Sequence, residues 1–317
     1  MKEVLDKCTL CPKNCQVNRN KGEIGFCKST NKIKISKYYL HKWEEPPITG
    51  KNGSGTIFFT NCNMRCIFCQ NYYISAMGNG KEITEEEFSN ICLELQHQGA
   101  TNINLVTPTH YVPLIVEGLT LAKSKGLNIP IVYNTSSYEN VETIKMLKGL
   151  VDVYLPDLKY YNNTYSLKYS HVKNYFEYAK KAIYEMYKQV GKPIFNEDGD
   201  IIKGVIVRHL LLPGMYTDSR KIIKYLHHKY HNKILISIMN QYTPVKKCQY
   251  QELNKKVSEE EYNSIIDYSW KIGVRNAFIQ EGETQNESFI PDFTTFHESK
   301  EPTGSLIFIS IISYYQK

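Results

Sequence analysis

The sequence predicts an α/β fold: a parallel sheet curled into a partial (β/α)6 barrel, preceded by a small cysteine-rich metal-binding segment. Six short apolar runs alternate with helical segments or crossovers, the pattern of a parallel sheet covered by helices. Right-handed crossovers would curl such a sheet. Polar residues gather where the runs end, and four cysteines precede the first run. In such folds functional residues collect at the carboxyl ends of the strands.

The predicted strands are runs of β-branched, aromatic and other apolar residues bounded by turn residues. The six barrel strands are residues 56–59, 103–107, 129–134, 151–157, 205–211 and 234–239. An alternating stretch at residues 33–40 is predicted as a strand that leads into the barrel. The apolar run at residues 306–312 is predicted as an edge strand or as a contact surface for a partner.

Helix signals stand between the strands. Thr84 and Glu87 form a capping box, and Cys92 falls on the apolar face of the helix that follows, which predicts a core position for it. Ser258 and Glu261 mark the start of the last clear helix in the same way. Further helices are predicted at residues 112–125, in the stretch that ends at Gly149, and at residues 174–190.

The composition is that of a globular protein with a full core. The 317 residues are 42% hydrophobic and 22% charged, and the net charge is +7. Because the lysines are scattered, we expect a solvated surface rather than a nucleic-acid stripe, with an RNA substrate as the alternative. Residues 1–50 are predicted as the cysteine-rich segment and lead-in, 51–292 as the barrel, and 293–317 as a tail.

The sequence also predicts a compartment. The start contains acids and no long apolar stretch, so we expect no signal peptide. The run at residues 306–312 is too short to cross a bilayer, so we expect no membrane association. Nine cysteines without an export signal favour metal ligation in the cytoplasm over disulfides.

Three cysteines close together follow the first barrel strand. Cys62, Cys66 and Cys69 have C-x3-C-x2-C spacing. Three thiolates can hold a four-iron cube and leave one iron without a protein ligand, where chemistry can take place. The alternative is a structural zinc site, but zinc requires four closed ligands and no fourth stands nearby in the sequence.

Four more cysteines stand near the amino terminus. Cys8, Cys11, Cys15 and Cys27 form a complete ligand set for one metal centre. The short spacing and the Cys11-Pro12 pair are ferredoxin-like and favour a second [4Fe-4S] cluster. Zinc and free thiols are the alternatives.

The stretch from His41 to Gly50 is rich in aromatic, acidic and proline residues. It is predicted as a rigid turn anchored by Trp43. Alternatively, His41, Glu44 or Glu45 faces the active site.

The cysteine spacing resembles the signature of the radical S-adenosylmethionine (radical SAM) superfamily, which implies that the predicted barrel is of the radical SAM type. In that superfamily the open iron binds S-adenosylmethionine, and one electron splits it into methionine and a 5'-deoxyadenosyl radical. An aromatic residue before the last cysteine lies against the adenine, a place that Phe68 takes here. Over residues 8–292 the chain resembles the PflX-type branch related to pyruvate formate-lyase activating enzyme. The matching stretches are 53–59, 69–71, 107–110, 208–210 and 240–242.

The resemblance implies further cofactor-binding residues. Asn134 and Thr135 take the place of an Asp-Thr-Asn-Gly stretch near the cofactor, with Asn for the leading acid. Thr107 opens a stretch, residues 107–110, that stands where the superfamily often has Gly-Gly-Glu for the methionyl amine, and the usual acid is absent. The remaining matches are an Asp-x-Lys element and an arginine set against the methionyl carboxylate, namely Asp157, Lys159 and Arg208. His110 and His209 are candidates for proton handling, with a structural role as the alternative.

The resemblance implies a radical SAM oxidoreductase that abstracts hydrogen, with a glycine of a glycyl radical enzyme as the expected target. Its cofactors would be a [4Fe-4S] cluster and S-adenosyl-L-methionine, and its partners a reductant such as flavodoxin or ferredoxin and the glycyl radical enzyme. Radical modification of another peptide or of a small metabolite is one alternative. A non-catalytic iron-sulfur electron carrier is the other.

Overall fold

One mixed sheet organises the molecule. The computed structural model describes residues 2–244, 246–281, 293 and 307–316. Over these residues the sheet order is β11-β10-β9-β8-β6-β5-β4-β2-β1-β3, with β7 paired to β8. The strands are β1 Ile33–His41, β2 Ser54–Phe59, β3 Lys81–Ile83, β4 Ile103–Val106, β5 Ile131–Thr135, β6 Val153–Pro156, β7 Ile194–Phe195, β8 Ile201–Leu210, β9 Leu235–Met239, β10 Ala277–Glu281 and β11 Ile307–Ser310.

The central part of the sheet is parallel. Strands β2, β4, β5, β6, β8, β9 and β10 each pair in parallel with their neighbours in that order. The first six are the predicted barrel strands, so the predicted α/β class with a mostly parallel sheet is confirmed. The six-strand prediction stopped one strand early, because Gln280 and Glu281 interrupt the apolar pattern of β10.

The two edges of the sheet are antiparallel. Strand β1, predicted from its alternation, pairs antiparallel with β2 and β3. Strand β11 pairs antiparallel with β10 at the other end, which confirms the predicted edge strand for Ile307–Ser310. The predicted boundary at residue 292 lies outside the described residues, and the three-part division stays a prediction.

Helices pack against the sheet. They are α1 Pro46–Thr49, α2 Tyr72–Ser75, α3 Glu85–His97, α4 Val112–Ser124, α5 Val141–Lys145, α6 Asn163–Ser170, α7 Tyr175–Val190, α8 Tyr216–Tyr230, α9 Glu259–Lys271 and α10 Ile311–Gln316. The predicted capping box of α3 is present, with the Thr84 hydroxyl accepting from Glu87 N at 3.1 Å. Cys92 is fully buried in the core, as predicted. Within the described ranges, none of the helices combines the length and apolar character that crossing a membrane requires.

The amino-terminal segment has little regular structure. Across residues 2–32 the structure shows only two short 3-10 turns, Lys2–Leu5 and Arg19–Lys21. Side chains anchor this segment to the barrel: Asn140 Nδ2 donates to Thr9 O at 2.7 Å, and Thr143 Oγ1 donates to Leu10 O at 2.6 Å. Because both anchors lie at the start of α5, the segment is held against the end of the barrel where the parallel strands terminate.

Candidate active site

A cavity of about 250 Å³ lies at the carboxyl ends of the parallel strands. It receives side chains from the ends of β2, β4, β5, β6, β8 and β9 and from the cysteine loop. The sequence-predicted residues that line it are Cys62, Cys66, Phe68, Cys69, Thr107, Asn134, Thr135, Asp157, Lys159 and Arg208. Because the carboxyl ends of the parallel strands meet, residues separated by up to 146 positions in the chain (208 − 62) line one cavity.

The three cysteines of the loop after β2 each receive a hydrogen bond at sulfur. Met64 N donates to Cys62 Sγ at 3.3 Å, and the hydroxyl of Ser170 donates to Cys66 Sγ at 2.9 Å. Ser75 Oγ lies 3.2 Å from Cys69 Sγ. Donors aimed at sulfur stabilise thiolates and adjust the redox behaviour of any cluster they bind.

Burial raises the pKa of all three thiols, and that of Cys66 reaches about 11. The ammonium group of Lys159 acts on each of them in the opposite direction. A positive charge placed beside three sulfur atoms compensates the negative charge that a thiolate-bound cluster brings into a buried site.

Arg208 is the centre of a charged network that lines the same cavity. Its Nε donates to Asp157 Oδ1 at 2.9 Å and its Nη1 to Glu44 Oε2 at 3.2 Å. Its Nη2 donates to Asn134 Oδ1 at 2.6 Å. Asp157 Oδ2 in turn accepts from Lys159 Nζ at 2.6 Å. The guanidinium thus fixes the ends of β5, β6 and β8 relative to the turn after β1.

The two carboxylates of this network differ in acidity. Burial alone would raise the pKa of Asp157, but Arg208 and Lys159 bring it below its ordinary value. Burial raises the pKa of Glu44, against the opposing effect of Arg208. Asp157 is therefore the firmly ionised member, and Glu44 is the one that takes up a proton more readily.

The loop between β1 and β2 contributes directly to the cavity. His41, Trp43 and Glu44 line it, in agreement with the alternative in which this stretch faces the active site. Glu45 does not face it and is only 1% exposed, and burial raises the pKa of its carboxyl to about 7.

A buried acid that the sequence did not reveal lies beneath Thr135. Glu139 Oε1 accepts from Thr135 Oγ1 at 2.6 Å and from Thr109 Oγ1 at 2.7 Å. The Tyr133 hydroxyl donates to the same oxygen at 3.1 Å. Glu139 thus holds the ends of β4 and β5 together. It lies close to residues 107–110, the stretch that lacks the acid usual in the resembling superfamily. Its only sequence signal is an acid in the loop after a strand, which many surface loops share.

The two histidines proposed for proton handling lie outside the cavity lining. His209 Nδ1 donates to Leu158 O at 2.8 Å and its Nε2 is 2.9 Å from Ser219 Oγ, so both ring nitrogens have structural partners. His110 Nε2 donates to Thr60 O at 2.8 Å. Burial lowers the pKa of both rings, to about 3 for His110 and about 4 for His209, so both are neutral at physiological pH. The contacts therefore favour a structural role for both histidines over proton handling.

The four amino-terminal cysteines gather around a separate pocket. Cys8, Cys11, Cys15 and Cys27 all line it, together with Arg19, Phe26 and His110. It shares none of its lining residues with the cavity described above.

The thiols of Cys62, Cys66 and Cys69 line one cavity, and thiolates are the ligands that an iron-sulfur cube takes. Throughout the described part of the chain, no three His, Cys, Asp or Glu side chains converge closely enough to hold one metal ion. Zinc needs such convergence, with sulfur about 2.3 Å from the metal. A cube takes each thiolate at a separate corner, so its ligands stand farther apart. Three thiols in the lining of one cavity supply three of the four ligands that a cube takes.

The fold and this site define a class: an α/β protein that presents three thiols in a cavity at the carboxyl ends of parallel strands. The sequence profile of the Radical SAM superfamily matches residues 56–236. An uncharacterized protein of Methanocaldococcus jannaschii is 32% identical in an alignment 284 residues long that covers 85% of this chain and 76% of that protein.

Two solved structures extend the comparison. A radical SAM methyltransferase from Sphaerobacter thermophilus has a TM-score of 0.50 and 15% identity, covering 72% of this chain and 67% of that one. A domain of pyruvate-formate lyase-activating enzyme from Bacteroides vulgatus has a TM-score of 0.40 and 17% identity, covering 54% of this chain and 92% of that one. The chain belongs to the radical SAM superfamily of enzymes. Membership implies a [4Fe-4S] cluster and S-adenosylmethionine as cofactors.

Proposed function

We propose that this enzyme is of the PflX type and cleaves S-adenosylmethionine reductively in order to abstract hydrogen from a glycine of a partner enzyme. One observation carries the proposal. A single cavity is lined both by three thiols and by an ionic network of opposite charges. S-adenosylmethionine carries a sulfonium, an ammonium and a carboxylate, so it requires opposite charges in the cavity as well as the thiols that would hold the cluster.

Cys62, Cys66 and Cys69 would hold the cluster. When bound, the reduced cluster and S-adenosylmethionine supply a 5'-deoxyadenosyl radical, with methionine as the other product. The ring of Phe68 lies 6.1 Å from that of Tyr242 in an edge-to-face contact, which fixes it as an apolar wall for the adenine.

The ionic network would orient the methionyl end. Arg208 uses Nε, Nη1 and Nη2 once each toward protein oxygens, which leaves one hydrogen on each terminal nitrogen for a ligand carboxylate. Asp157 and Glu44 supply negative charge for the ammonium and sulfonium groups. Thr107 lines the same cavity. Its backbone φ of 62° is unusual for a residue other than glycine.

The surface beside the cysteine loop supports a polypeptide as the substrate. Tyr72, Tyr73 and Met77 are 39%, 50% and 61% exposed, and they follow Cys69 by only three to eight positions. Exposed aromatic and Met side chains beside a catalytic mouth are typical of a protein-docking surface. A small metabolite would not need them.

The environment of the reaction is part of the same proposal. We propose a cytoplasmic enzyme that receives single electrons from a flavodoxin or a ferredoxin. Neither a membrane nor a nucleic acid is required by the chemistry.

The first test concerns cleavage. Cys66→Ala removes a cluster ligand, so we expect loss of 5'-deoxyadenosine formation after anaerobic reconstitution and reduction. Cys248→Ala is the matched control, because Cys248 lies outside both cysteine groups and its sulfur donates to Tyr250 O at 3.4 Å. Persistent cleavage by Cys66→Ala would show that the ligand assignment is wrong.

The second measurement concerns the target. Host protein is prepared from cells fed α-deuterated glycine, and the enzyme is incubated separately with the protein fraction and with the dialysable fraction. The proposal predicts deuterium in 5'-deoxyadenosine and a glycine-centred radical in electron paramagnetic resonance, both with the protein fraction. Deuterium from the dialysable fraction alone would instead identify a small metabolite, and cleavage without transfer from either would reject glycine.

A further inference from the structure

The pocket formed by the four amino-terminal cysteines is assembled by the backbone of residues 8–28. Cys8 N donates to Val17 O at 3.0 Å and Gln16 N donates to Cys8 O at 2.9 Å, which closes the segment on itself. Gly25 lies so close that an added Cβ would stand 2.8 Å from both Cβ and Sγ of Cys15. The chain therefore places glycine where any side chain would displace a thiol.

A buried nitrogen at this pocket lacks a protein partner. His110 is 2% exposed, and its Nε2 is committed to a carbonyl oxygen, Thr60 O. That bond requires the proton on Nε2, so Nδ1 carries a lone pair, and Nδ1 is buried without any hydrogen bond. The unsatisfied lone pair therefore belongs to a residue of the pocket lining, beside four thiols of the kind that iron-sulfur clusters take as ligands.

The segment is bonded to the elements that surround the first cysteine group. Lys13 Nζ donates to His171 O at 2.7 Å, next to Ser170, whose hydroxyl reaches Cys66 Sγ. Arg19 Nη1 donates to the backbone oxygen of His110, at 2.7 Å, in the turn that follows β4. The second pocket is thus held in a fixed position relative to the first.

A short path connects the two groups of sulfur atoms. Phe26 N donates to Cys15 Sγ at 3.3 Å, and Phe26 O accepts from Arg65 Nη2 at 2.7 Å. Arg65 is covalently linked to Cys66. Two hydrogen bonds and the covalent bonds of Phe26, Arg65 and Cys66 therefore lead from a ligand of one pocket to a ligand of the other.

Two cations stand along this path. Lys13 Nζ lies 3.7 Å from the centre of the Phe26 ring, and the Arg65 guanidinium lies 4.5 Å from it. Positive charge between two sulfur-rich sites compensates the negative charge of thiolate-bound clusters and stabilises their reduced states.

We propose that Cys8, Cys11, Cys15 and Cys27 bind a second iron-sulfur cluster that relays electrons to the catalytic cluster. Four thiolates would cover all four corners of a cube and leave no iron for substrate, which suits electron transfer. This inference rests on the proposed cleavage of S-adenosylmethionine. A low-potential flavodoxin or ferredoxin would lose one electron, which the second cluster would pass to the catalytic cluster. That electron reduces the sulfonium of the cofactor: the bond between sulfur and the 5' carbon breaks, methionine keeps an electron pair at sulfur, and the 5'-deoxyadenosyl radical is the other product.

Metal content tests the site. After anaerobic reconstitution we expect about eight irons and eight sulfides per chain for the wild type and about four for Cys11→Ser/Cys27→Ser. Cys248→Ala should retain about eight. A variant with Ala at positions 62, 66 and 69 should retain about four, because the second site does not need the first. About four irons in the wild type, or about one zinc beside them, would overturn the proposal. About eight irons in the Cys62→Ala/Cys66→Ala/Cys69→Ala variant would instead contradict the catalytic assignment.

Kinetics tests the relay. The rate of 5'-deoxyadenosine formation is measured with reduced flavodoxin and with dithionite, and the ratio of the two rates is compared between the wild type and Cys11→Ser/Cys27→Ser. A relay predicts that the ratio falls by about tenfold or more, whereas a purely structural cluster would lower both rates together. An unchanged ratio in a variant that has lost half of its iron would overturn the relay.

Discussion

At the scale of single residues, Arg208 shows how one side chain can organise a site. Its planar guanidinium reaches Asp157, Glu44 and Asn134 at once, which a lysine could not do with a single ammonium group. All of these partners are largely buried, since the side chains of Glu44 and Asp157 are 11% and 16% exposed. Removing the cation would leave carboxylates without compensation.

We predict that Arg208→Gln lowers the free energy of unfolding of the apoprotein by about 3 kcal/mol, because an unpaired buried charge costs that much. Chemical denaturation measures it. Lys180→Gln is the control, since Lys180 pairs with Glu177 on the surface at 2.7 Å and its loss should cost less than about 1 kcal/mol.

A double-mutant cycle completes this prediction. If Glu44 is the carboxylate left unpaired, Glu44→Gln/Arg208→Gln should lose less stability than the sum of the two single variants. Strict additivity would mean that the network is not coupled through Arg208.

At the scale of elements, close helix packing depends on Gly118 in the middle of α4. An added Cβ would stand 2.5 Å from Cδ1 of Phe88, a fully buried residue of α3. Glycine in a helix interior normally costs about 0.5–1 kcal/mol relative to alanine. Here the glycine lets α3 and α4 approach, so packing outweighs helix propensity.

We therefore predict that Gly118→Ala destabilises the protein by about 1–3 kcal/mol instead of stabilising it. The melting temperature should fall accordingly. Gly118→Ala/Phe88→Leu should be less destabilised than the sum of its single variants, because the smaller side chain relieves the collision. A gain in stability from Gly118→Ala alone would contradict the packing argument.

At the scale of the whole molecule, the barrel and the amino-terminal segment are stabilised differently. Most buried apolar residues of the barrel strands and helices belong to one large cluster, which Leu10 joins from the amino-terminal segment. The segment over residues 8–27 contains one short 3-10 turn and is held by side-chain bonds to the barrel. A metal centre would supply the cross-links that a small segment cannot obtain from its own core.

We predict that chelation of iron leaves the barrel folded and loosens the segment. Hydrogen exchange should accelerate at residues 8–27 and stay slow in β4, β5 and β6, which are buried on both faces. Mass spectrometry of peptic fragments measures this. Equal acceleration throughout the chain would show that the metal stabilises the whole fold.

Local patterns predicted much of the fold. The capping box at Thr84, the helix that ends at Gly191 and the apolar runs of β4 and β5 each depend on residues a few positions apart. Strand β10 was missed because it contains a buried polar residue, Gln280, which is 2% exposed. Its side-chain oxygen accepts hydrogen bonds from Asn240 N and Gln241 N, which are 40 and 39 positions away in the chain. A buried amide that is satisfied by a distant loop has no local signal.

The sequence by itself determined the alternation of strands and helices, the three-cysteine loop and the family resemblance, because all of these are written in short-range spacing. Only the tertiary structure decided that Glu44 and Glu139 belong to the site region, that His110 faces the second pocket, and that Phe26 and Arg65 link the two cysteine groups. Such contacts join residues tens of positions apart, and their existence depends on how strand ends meet in space. Spacing along the chain fixes what each element is, whereas packing fixes which elements share a site.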